Sequence, residues 1–148
     1  MENLKIKVKY FDKEIDKITF IDGKKSNWID LRAAETVTLM AGDYTRIPLG
    51  VGMKLPDGYE ALVAPRGSTF EKYGIIQTNS IGVIDNSYSG NNDQWFMPVY
   101  ATRDISINKN ERICQFRIIQ SMDRDTIIES VEFLDGEDRG GFGSTGRV

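Results

Sequence analysis

An aspartate and a tyrosine lie close together in segment 79–95, among residue types that form tight turns. The segment reads N-S-I-G-V-I-D-N-S-Y-S-G-N-N-D-Q-W, with Asp85 after an apolar run and Tyr88 and Gly90 beyond it. Asp, Asn, Ser and Gly supply the side-chain hydrogen bonds and positive φ angles that turns need. We predict a β-hairpin whose mouth presents a carboxylate and an aromatic ring to a small planar ligand. The alternative is an ordinary turn with a solvated aspartate.

The chain contains no histidine, so carboxylates are its natural proton acceptors. Ser-His-Asp triads and His-ligated zinc sites are thereby excluded. A second acid, Asp30, lies in the apolar segment W-I-D-L-R-A-A, where the alternative to a role in chemistry is an ion pair with Arg32 or another arginine. The single cysteine, Cys114, lies in an apolar run and is more typical of a core residue than of a nucleophile. One cysteine allows no intrachain disulfide, which indicates a reducing compartment.

Two further motifs carry groups that suit phosphates. P-R-G-S ends a predicted strand and opens a predicted helix, where free N–H groups, Arg66 and the Ser68 hydroxyl could bind an anion. The same hydroxyl could instead cap the helix. In E-R-I-C-Q-F-R, Arg112 and Gln115 fall in opposite phase along a strand. Gln115 either bonds to a cross-strand partner or reaches a ligand.

A glycine-rich segment, R-G-G-F-G-S-T-G, lies at residues 139–146. It combines a cation, an aromatic ring, two hydroxyls and a backbone that can wrap closely around phosphates. It lacks the lysine and the spacing of a P-loop. With so few apolar residues it cannot bury enough surface to order by itself. It is therefore a flexible tail, or it orders on something else.

Short β-strands must position these groups, because alternation between apolar and polar residues recurs along the chain. One short helix is predicted from the capping-box spacing Ser68–Glu71 and from Gly74 at its end. Many short strands separated by turns indicate an all-β sandwich or barrel, commonly a jelly roll. The predicted strands lie at Leu4–Tyr10, Ile18–Ile21, Trp28–Leu31, Val37–Leu39, Ile47–Leu55, Tyr59–Val63, Ile81–Ile84, Trp95–Ala101 and Ile113–Ile119.

The length and charge fit a single globular domain that binds neither nucleic acid nor membranes. The 148 residues can bury a substantial core. The net charge of −3 argues against a general nucleic-acid or membrane-surface binder, although a few arginines can still hold a phosphate. No apolar run has membrane-spanning length, and the first residues lack the apolar region of a signal peptide. We expect a cytoplasmic protein.

Taken in order, five stretches resemble the motifs of the trimeric, all-β dUTP nucleotidohydrolase (dUTPase) family. The family motifs are D-L-x-A, P-R-S, G-x-I-D-x-x-Y-x-G, R-x-x-Q and R-G-G-F-G-S-T-G. Here they correspond to Asp30–Ala33, Pro65–Gly67, Gly82–Gly90, Arg112–Gln115 and Arg139–Gly146. The resemblance implies a jelly-roll-like distorted β-barrel over residues 1–135 with one short helix. A flexible C-terminal arm would follow over residues 136–148.

The resemblance also implies a reaction, hydrolysis of dUTP to dUMP and pyrophosphate. Asp85 takes the place of the catalytic aspartate, which accepts a proton from the water that attacks the α-phosphorus. Mg²⁺ is held mainly by the triphosphate, and Asp30 acts on it indirectly, through its water shell or through the subunit contact. The resemblance further implies a homotrimer in which each site is shared between subunits and receives its arm from a neighbour.

The residues implied to bind the substrate fall into three groups. Asn79 would help to read uracil and the main chain around Val83 and Ile84 would contact the nucleoside, while Tyr88 would pack under the deoxyribose and leave no room for a 2′-hydroxyl. The phosphates would be held by Arg66, Gly67, Ser68 and Gln115. The arm would cover the ligand with Phe142 on uracil and Arg139 at the γ-phosphate, together with Gly143, Ser144 and Thr145.

Two other functions stay open beside the hydrolase, and the sequence departs from the family pattern in three places. Gly67 stands where serine is usual, Ser87 stands where a second acid is common, and the connection 91–94 is slightly longer than usual. One alternative is a dCTP deaminase or a combined deaminase and dUTPase on the same fold. The other is a nucleotide-binding regulatory module that acts through a protein partner.

Overall fold

The computed structural model describes residues 3–20, 25–141 and 146, which form eleven strands and one helix. This confirms the all-β class with one short helix. The elements are β1 (Lys7–Tyr10), β2 (Ile29–Arg32), β3 (Val37–Leu39), β4 (Tyr44–Pro48), β5 (Val51–Lys54), β6 (Tyr59–Pro65), α1 (Thr69–Tyr73), β7 (Ile75–Gln77), β8 (Gly82–Ile84), β9 (Phe96–Ala101), β10 (Ile105–Ile107) and β11 (Arg112–Gln120).

The strands form four antiparallel sheets around one core. A four-stranded sheet has the order β2-β11-β6-β8, a three-stranded sheet has the order β4-β9-β7, and β1–β5 and β10–β3 form two pairs. Within the described residues these sheets do not close into a continuous barrel. The long strand β11 lies between β2 and β6, so it links the two strands whose ends carry Asp30 and Arg66.

The core is built from apolar side chains of all the larger sheets. Trp95 and Phe116, each about 1% exposed, meet edge to face with ring centroids 5.3 Å apart. This geometry is a favoured one for aromatic pairs. Because Phe116 follows Gln115 in β11 and Trp95 leads into β9, the pair fixes the backbone that carries part of the candidate site. No helix within the described ranges is long and apolar enough to cross a bilayer.

The alternation over Ile47–Leu55 spans two strands rather than one. The chain bends at Gly50, whose φ of +72° favours glycine. A Cβ there would lie 2.8 Å from Ile15 Cδ1 and 3.0 Å from Ala34 Cβ. The bend lets β4 pair with β9 while β5 pairs with β1. Both strands keep the predicted burial of alternate residues.

The predicted hairpin over segment 79–95 is wrong. Strand β8 pairs with β6, whereas β9 pairs with β4 and β7. The chain beyond the turn bonds to the region between β4 and β5 instead of to β8. Trp95 N donates to Val51 O at 2.8 Å, and Leu49 N donates to Trp95 O at 3.0 Å. The turn around Asp85 therefore begins the connection that leads from the four-stranded sheet, which contains β8, to the three-stranded sheet, which contains β9.

Two predictions near the N-terminus also need correction. The first strand begins at Lys7 rather than Leu4. Residues 18–20 form no strand, and Ile21 lies outside the described residues. The backbone N–H of Ile18 donates to the Tyr10 hydroxyl at 3.0 Å, so a side chain satisfies a group that a strand would have paired. The end of α1 agrees with the prediction, because Gly74 adopts φ +64° and its N–H donates to Phe70 O at 2.7 Å.

Cys114 is expected to be unreactive in the folded protein. Its side chain is fully buried, and burial, aided by the nearby charge of Asp30, raises the pKa of the thiol well above its usual range. A disulfide reagent such as Ellman's reagent should therefore release almost no thiolate product from the native chain and one equivalent after denaturation. Rapid modification of the native protein would contradict the core assignment.

Candidate active site

Asp85 lies at the open end of an edge strand. It follows the last residue of β8, and the N–H of Tyr88 donates to Asp85 O at 3.0 Å, which closes a turn. The Asp85 side chain is exposed and lines a cleft of about 720 Å³ together with Glu60, Asp123 and Arg124. It forms no ion pair within the described residues. The carboxylate is therefore available to solvent and to a ligand.

The ring of Tyr88, three residues after Asp85, is held by the connection 91–94, whose extra length the sequence did not explain. The Tyr88 hydroxyl donates to Gln94 O at 2.8 Å. Upstream, Gly90 N donates to the Asp93 carboxylate at 2.8 Å. The connection thus restrains the Tyr88 ring through the hydroxyl bond. Tyr88 remains 38% exposed. The sequence could not predict the bond from Tyr88, because its acceptor is the main-chain carbonyl of Gln94, a group that every residue has.

The predicted uracil-binding residues lie along the same edge. Asn79 lies in the turn before β8, where Ser80 adopts a positive φ of 59°. Val83 is 57% exposed and Ile84 is half-buried. Among the described strands β8 pairs only with β6, so one row of its backbone N–H and C=O groups is unpaired within the sheet. Such an edge can bind a planar ligand through main-chain hydrogen bonds.

A second cluster lines a separate cavity of about 420 Å³. Asp30, whose side chain is 12% exposed, contacts Arg66 Nε at 3.2 Å and Arg112 Nη1 at 3.3 Å. Asp30 forms no ion pair with Arg32, but the predicted alternative of a pair with another arginine is confirmed, because its partners are Arg66 and Arg112. Asp30 therefore holds two guanidinium groups at one opening. The candidate residues that line this cavity are Asp30, Arg66, Gly67, Ser68, Arg112 and Gln115.

A β-bulge brings Arg112 and Gln115 to the same cavity. A regular strand would point them in opposite directions, as the sequence predicted. The register with β2 shifts between Arg112 and Cys114, which leaves Ile113 as the extra residue. Gln115 Nε2 donates to Pro65 O at 3.0 Å, so a cross-strand partner satisfies part of this side chain. The side chain still lines the cavity.

The Ser68 hydroxyl does not cap the helix, contrary to one of the two predicted roles. Ser68 occupies the N-cap position without a side-chain capping bond. Thr69 satisfies the local groups instead, because its hydroxyl accepts from Arg66 N at 2.8 Å and donates to Ile113 O at 2.9 Å. Gly67 and Ser68 are both exposed and remain available to an anion. Thr69 was not among the predicted site residues, although its place beside Ser68 was a usable signal.

One chain does not bring its two clusters together. In the antiparallel pair of β6 and β8, Ala61 faces Ile84, so Asp85 lies beside the start of β6 while Arg66 follows its end. Six residues of extended strand correspond to about 20 Å. This exceeds the reach of a single phosphate group. The backbone at Asp85 is therefore well separated from the backbone at Arg66 in one chain, and the two side chains line different cavities.

The C-terminal segment is only partly described. Arg139 is exposed, and nothing lies within 4 Å of a Cβ added at Gly136 or Gly141. Phe142 and the predicted phosphate contacts at 143–145 lie outside the described residues. Within the described ranges, no group of three or more Cys, Asp or Glu side chains could hold a metal ion.

Comparison with known proteins identifies one family throughout. The family model described as dUTPase matches residues 21–146. The chain is 52% identical over 143 residues to the SPbeta prophage-derived deoxyuridine 5'-triphosphate nucleotidohydrolase YosS of Bacillus subtilis, covering 97% of this chain and 99% of that protein. It is 35% identical to the deoxyuridine 5'-triphosphate nucleotidohydrolase of Finegoldia magna, covering 95% and 99%. A mutant dUTPase of Staphylococcus bacteriophage 80alpha, solved with dUpNHpp, superimposes with a TM-score of 0.79 at 21% identity, covering 96% and 98%.

Proposed function

The chain belongs to the dUTPase family, and on that premise we propose that it converts dUTP to dUMP and pyrophosphate with Asp85 as the general base. The observation that carries this assignment is the position of Asp85, an exposed carboxylate directly beyond an edge strand with unpaired backbone groups. Asp85 accepts a proton from a water molecule as the water oxygen attacks the α-phosphorus. The bond to the bridging oxygen breaks in line with the attack, and pyrophosphate leaves.

Recognition of the nucleoside follows from the edge of β8 and from Tyr88. The main-chain groups that β8 leaves free at its outer edge, in the stretch of Val83 and Ile84, contact the nucleoside, and Asn79 before them helps to read uracil. Tyr88 packs against the deoxyribose. Because its hydroxyl donates to Gln94 O, the ring is held where it would clash with a 2′-hydroxyl. This steric exclusion selects dUTP over UTP.

Binding of the triphosphate falls to the second cluster and to the arm. Arg66, the Gly67 N–H, the Ser68 hydroxyl and Gln115 face one cavity, so they can surround the phosphates. Positioned donors and cations of this kind stabilise the charge of the transition state. The arm closes over the ligand with Arg139, Phe142, Gly143, Ser144 and Thr145 at the positions that the family motif gives them.

The donor set fits Mg²⁺ that arrives on the substrate rather than a protein-caged metal. The described residues offer no cluster of carboxylates, and both oxygens of Asp30 contact arginines. Mg²⁺ commonly keeps several waters and binds substrate phosphates with few protein ligands. Asp30 would therefore contact it through water. When bound, the ion neutralises charge on the triphosphate.

We further propose that the active species is a homotrimer with shared sites. The backbone separation of about 20 Å between Asp85 and Arg66 in one chain supports a site that a second copy completes. Large apolar side chains between β11 and the arm are also exposed, which marks an interaction surface. These are Met122, Ile127, Ile128, Val131, Phe133 and Leu134, with exposures of 79%, 88%, 96%, 52%, 85% and 88%.

A substrate survey tests the assignment. With Mg²⁺ present, the protein should release pyrophosphate from dUTP at least about 100-fold more efficiently than from UTP, because Tyr88 rejects the ribose. The survey includes dTTP and dCTP and also measures ammonia. Ammonia from dCTP without pyrophosphate from dUTP would establish the deaminase alternative. Tight dUTP binding without any pyrophosphate would establish the regulatory module.

A further inference from the structure

The side-chain amide of Asn86, the residue after Asp85, bridges two main-chain carbonyls of a neighbouring turn. Its Nδ2 donates to Pro56 O at 2.9 Å and to Tyr59 O at 2.8 Å. Asn86 is half-buried, whereas Asp85 and Ser87 on either side of it are exposed. One nitrogen thus commits both of its protons to a single partner segment.

The partner segment is itself anchored to the large sheet. Tyr59 N donates to Pro56 O at 3.1 Å, which closes the turn between β5 and β6. Ser121 N donates to Gly58 O at 2.8 Å, which ties the same turn to the end of β11. Asn86 therefore joins the turn that contains Asp85 to the turn between β5 and β6, which is itself bonded to β11.

Bonds from the turn matter for Asp85 because Asp85 is not itself paired in the ladder between β8 and β6. The ladder between β8 and β6 ends at the pair of Ala61 and Ile84. Asp85 is the first residue beyond that ladder, and its main-chain carbonyl accepts the turn bond from Tyr88 N. The direction of its side chain thus depends on how the turn is held, and the Asn86 side chain supplies two bonds from that turn to the segment between β5 and β6.

We propose that Asn86 is a positioning residue that sets the direction of the Asp85 carboxylate toward the attacking water. The inference rests on the proposed role of Asp85 as the base. Asparagine suits the task because it offers two protons from one nitrogen at this reach. Aspartate would place negative oxygens against two carbonyl oxygens, and serine offers one proton on a shorter arm.

The test combines Asn86→Ala with Asp85→Asn in a double-mutant cycle, with pyrophosphate release from dUTP as the readout. Asn86→Ala alone should lower kcat by about 10- to 100-fold, because small displacements of a reacting group have effects of this size. KM should change less than about threefold, since the ladder with β6 still holds the uracil edge at β8. In the Asp85→Asn background, Asn86→Ala should cause almost no further loss of kcat. Asn86→Ser, which keeps one donor, should be intermediate.

The matched control is Asn108→Ala, the same change at an exposed position between β10 and β11, and it should keep wild-type kcat. A merely structural role for Asn86 would lower kcat by the same factor with and without the Asp85 carboxylate, and that result overturns the proposal. A kcat for Asn86→Ala within twofold of wild type overturns it as well. If Asn86→Ala does not fold, Asn86→Ser enters the cycle in its place. If Asp85→Asn itself leaves kcat unchanged, the proposed base fails, and the inference that depends on it fails too.

Discussion

Replacing Asp85 by asparagine is expected to lower kcat for dUTP by about 100- to 10,000-fold while leaving KM nearly unchanged. The amide has the size and shape of the carboxylate but cannot accept a proton from water. The exposed side chain forms no ion pair within the described residues, so the substitution should not disturb the fold. Steady-state pyrophosphate release measures kcat and KM, and a non-hydrolysable dUTP analogue measures affinity independently.

Asp104→Asn is the control for this change. Asp104 is also exposed, and its Oδ1 accepts from Ala41 N at 2.8 Å, a bond that an asparagine oxygen can retain. It lines neither of the two candidate cavities, so the variant should turn over dUTP at the wild-type rate. Unchanged turnover in Asp85→Asn would show that Asp85 is not the base. Because the chain contains no histidine, another carboxylate would then have to take that role.

Deleting residues 136–148 is expected to leave the protein folded and to lower kcat/KM by at least about 100-fold. The described part of this segment is exposed and packs on nothing at Gly136 or Gly141, so the core should not depend on it. The catalytic loss follows because a closing segment excludes water and completes the site. Circular dichroism and thermal melting check the fold, and pyrophosphate release checks activity. Deleting residues 147–148 alone, beyond the glycine-rich motif, should have little effect.

Mixing two inactive variants tests whether this segment comes from another chain. Full-length Asp85→Asn supplies the arm, and the truncated chain supplies Asp85. Hybrid oligomers formed by refolding the two together should regain part of the wild-type activity, because one chain's arm covers another chain's aspartate. Absence of any recovery in verified hybrids would show that each chain closes its own site. A truncated enzyme with full activity would refute the closing role itself.

The matches between prediction and structure are local features. The absence of histidine assigns proton transfer to carboxylates regardless of the fold. Alternation of apolar residues identified most strands, because each residue's burial is set by the face of the strand on which it lies. Gly74 ended the helix as expected, since its positive φ is a property of that one position. The five motifs were recognisable for the same reason, because each is a short run of residue types.

Strand pairing, in contrast, was decided only by the tertiary structure. Segment 79–95 has the composition of a hairpin, yet β8 and β9 lie in different sheets because Trp95 bonds to the chain at Val51 and Leu49. The bulge at Ile113 turned Arg112 and Gln115 toward one cavity, against the phase of the sequence. Neither the strand pairing nor the bulge can be predicted from a short stretch of neighbouring residues.

By itself, the sequence determined which side chains are present to do chemistry, the all-β class and the order of the motifs. The tertiary structure decided where those side chains meet: Asp30 holds Arg66 and Arg112, and Asp85 lies about 20 Å from that cluster along β6. The physical reason is that alternation reports only whether a residue faces the core. Which strands become neighbours depends on contacts between residues far apart in the chain, and the free energy of those contacts is not visible in any one segment.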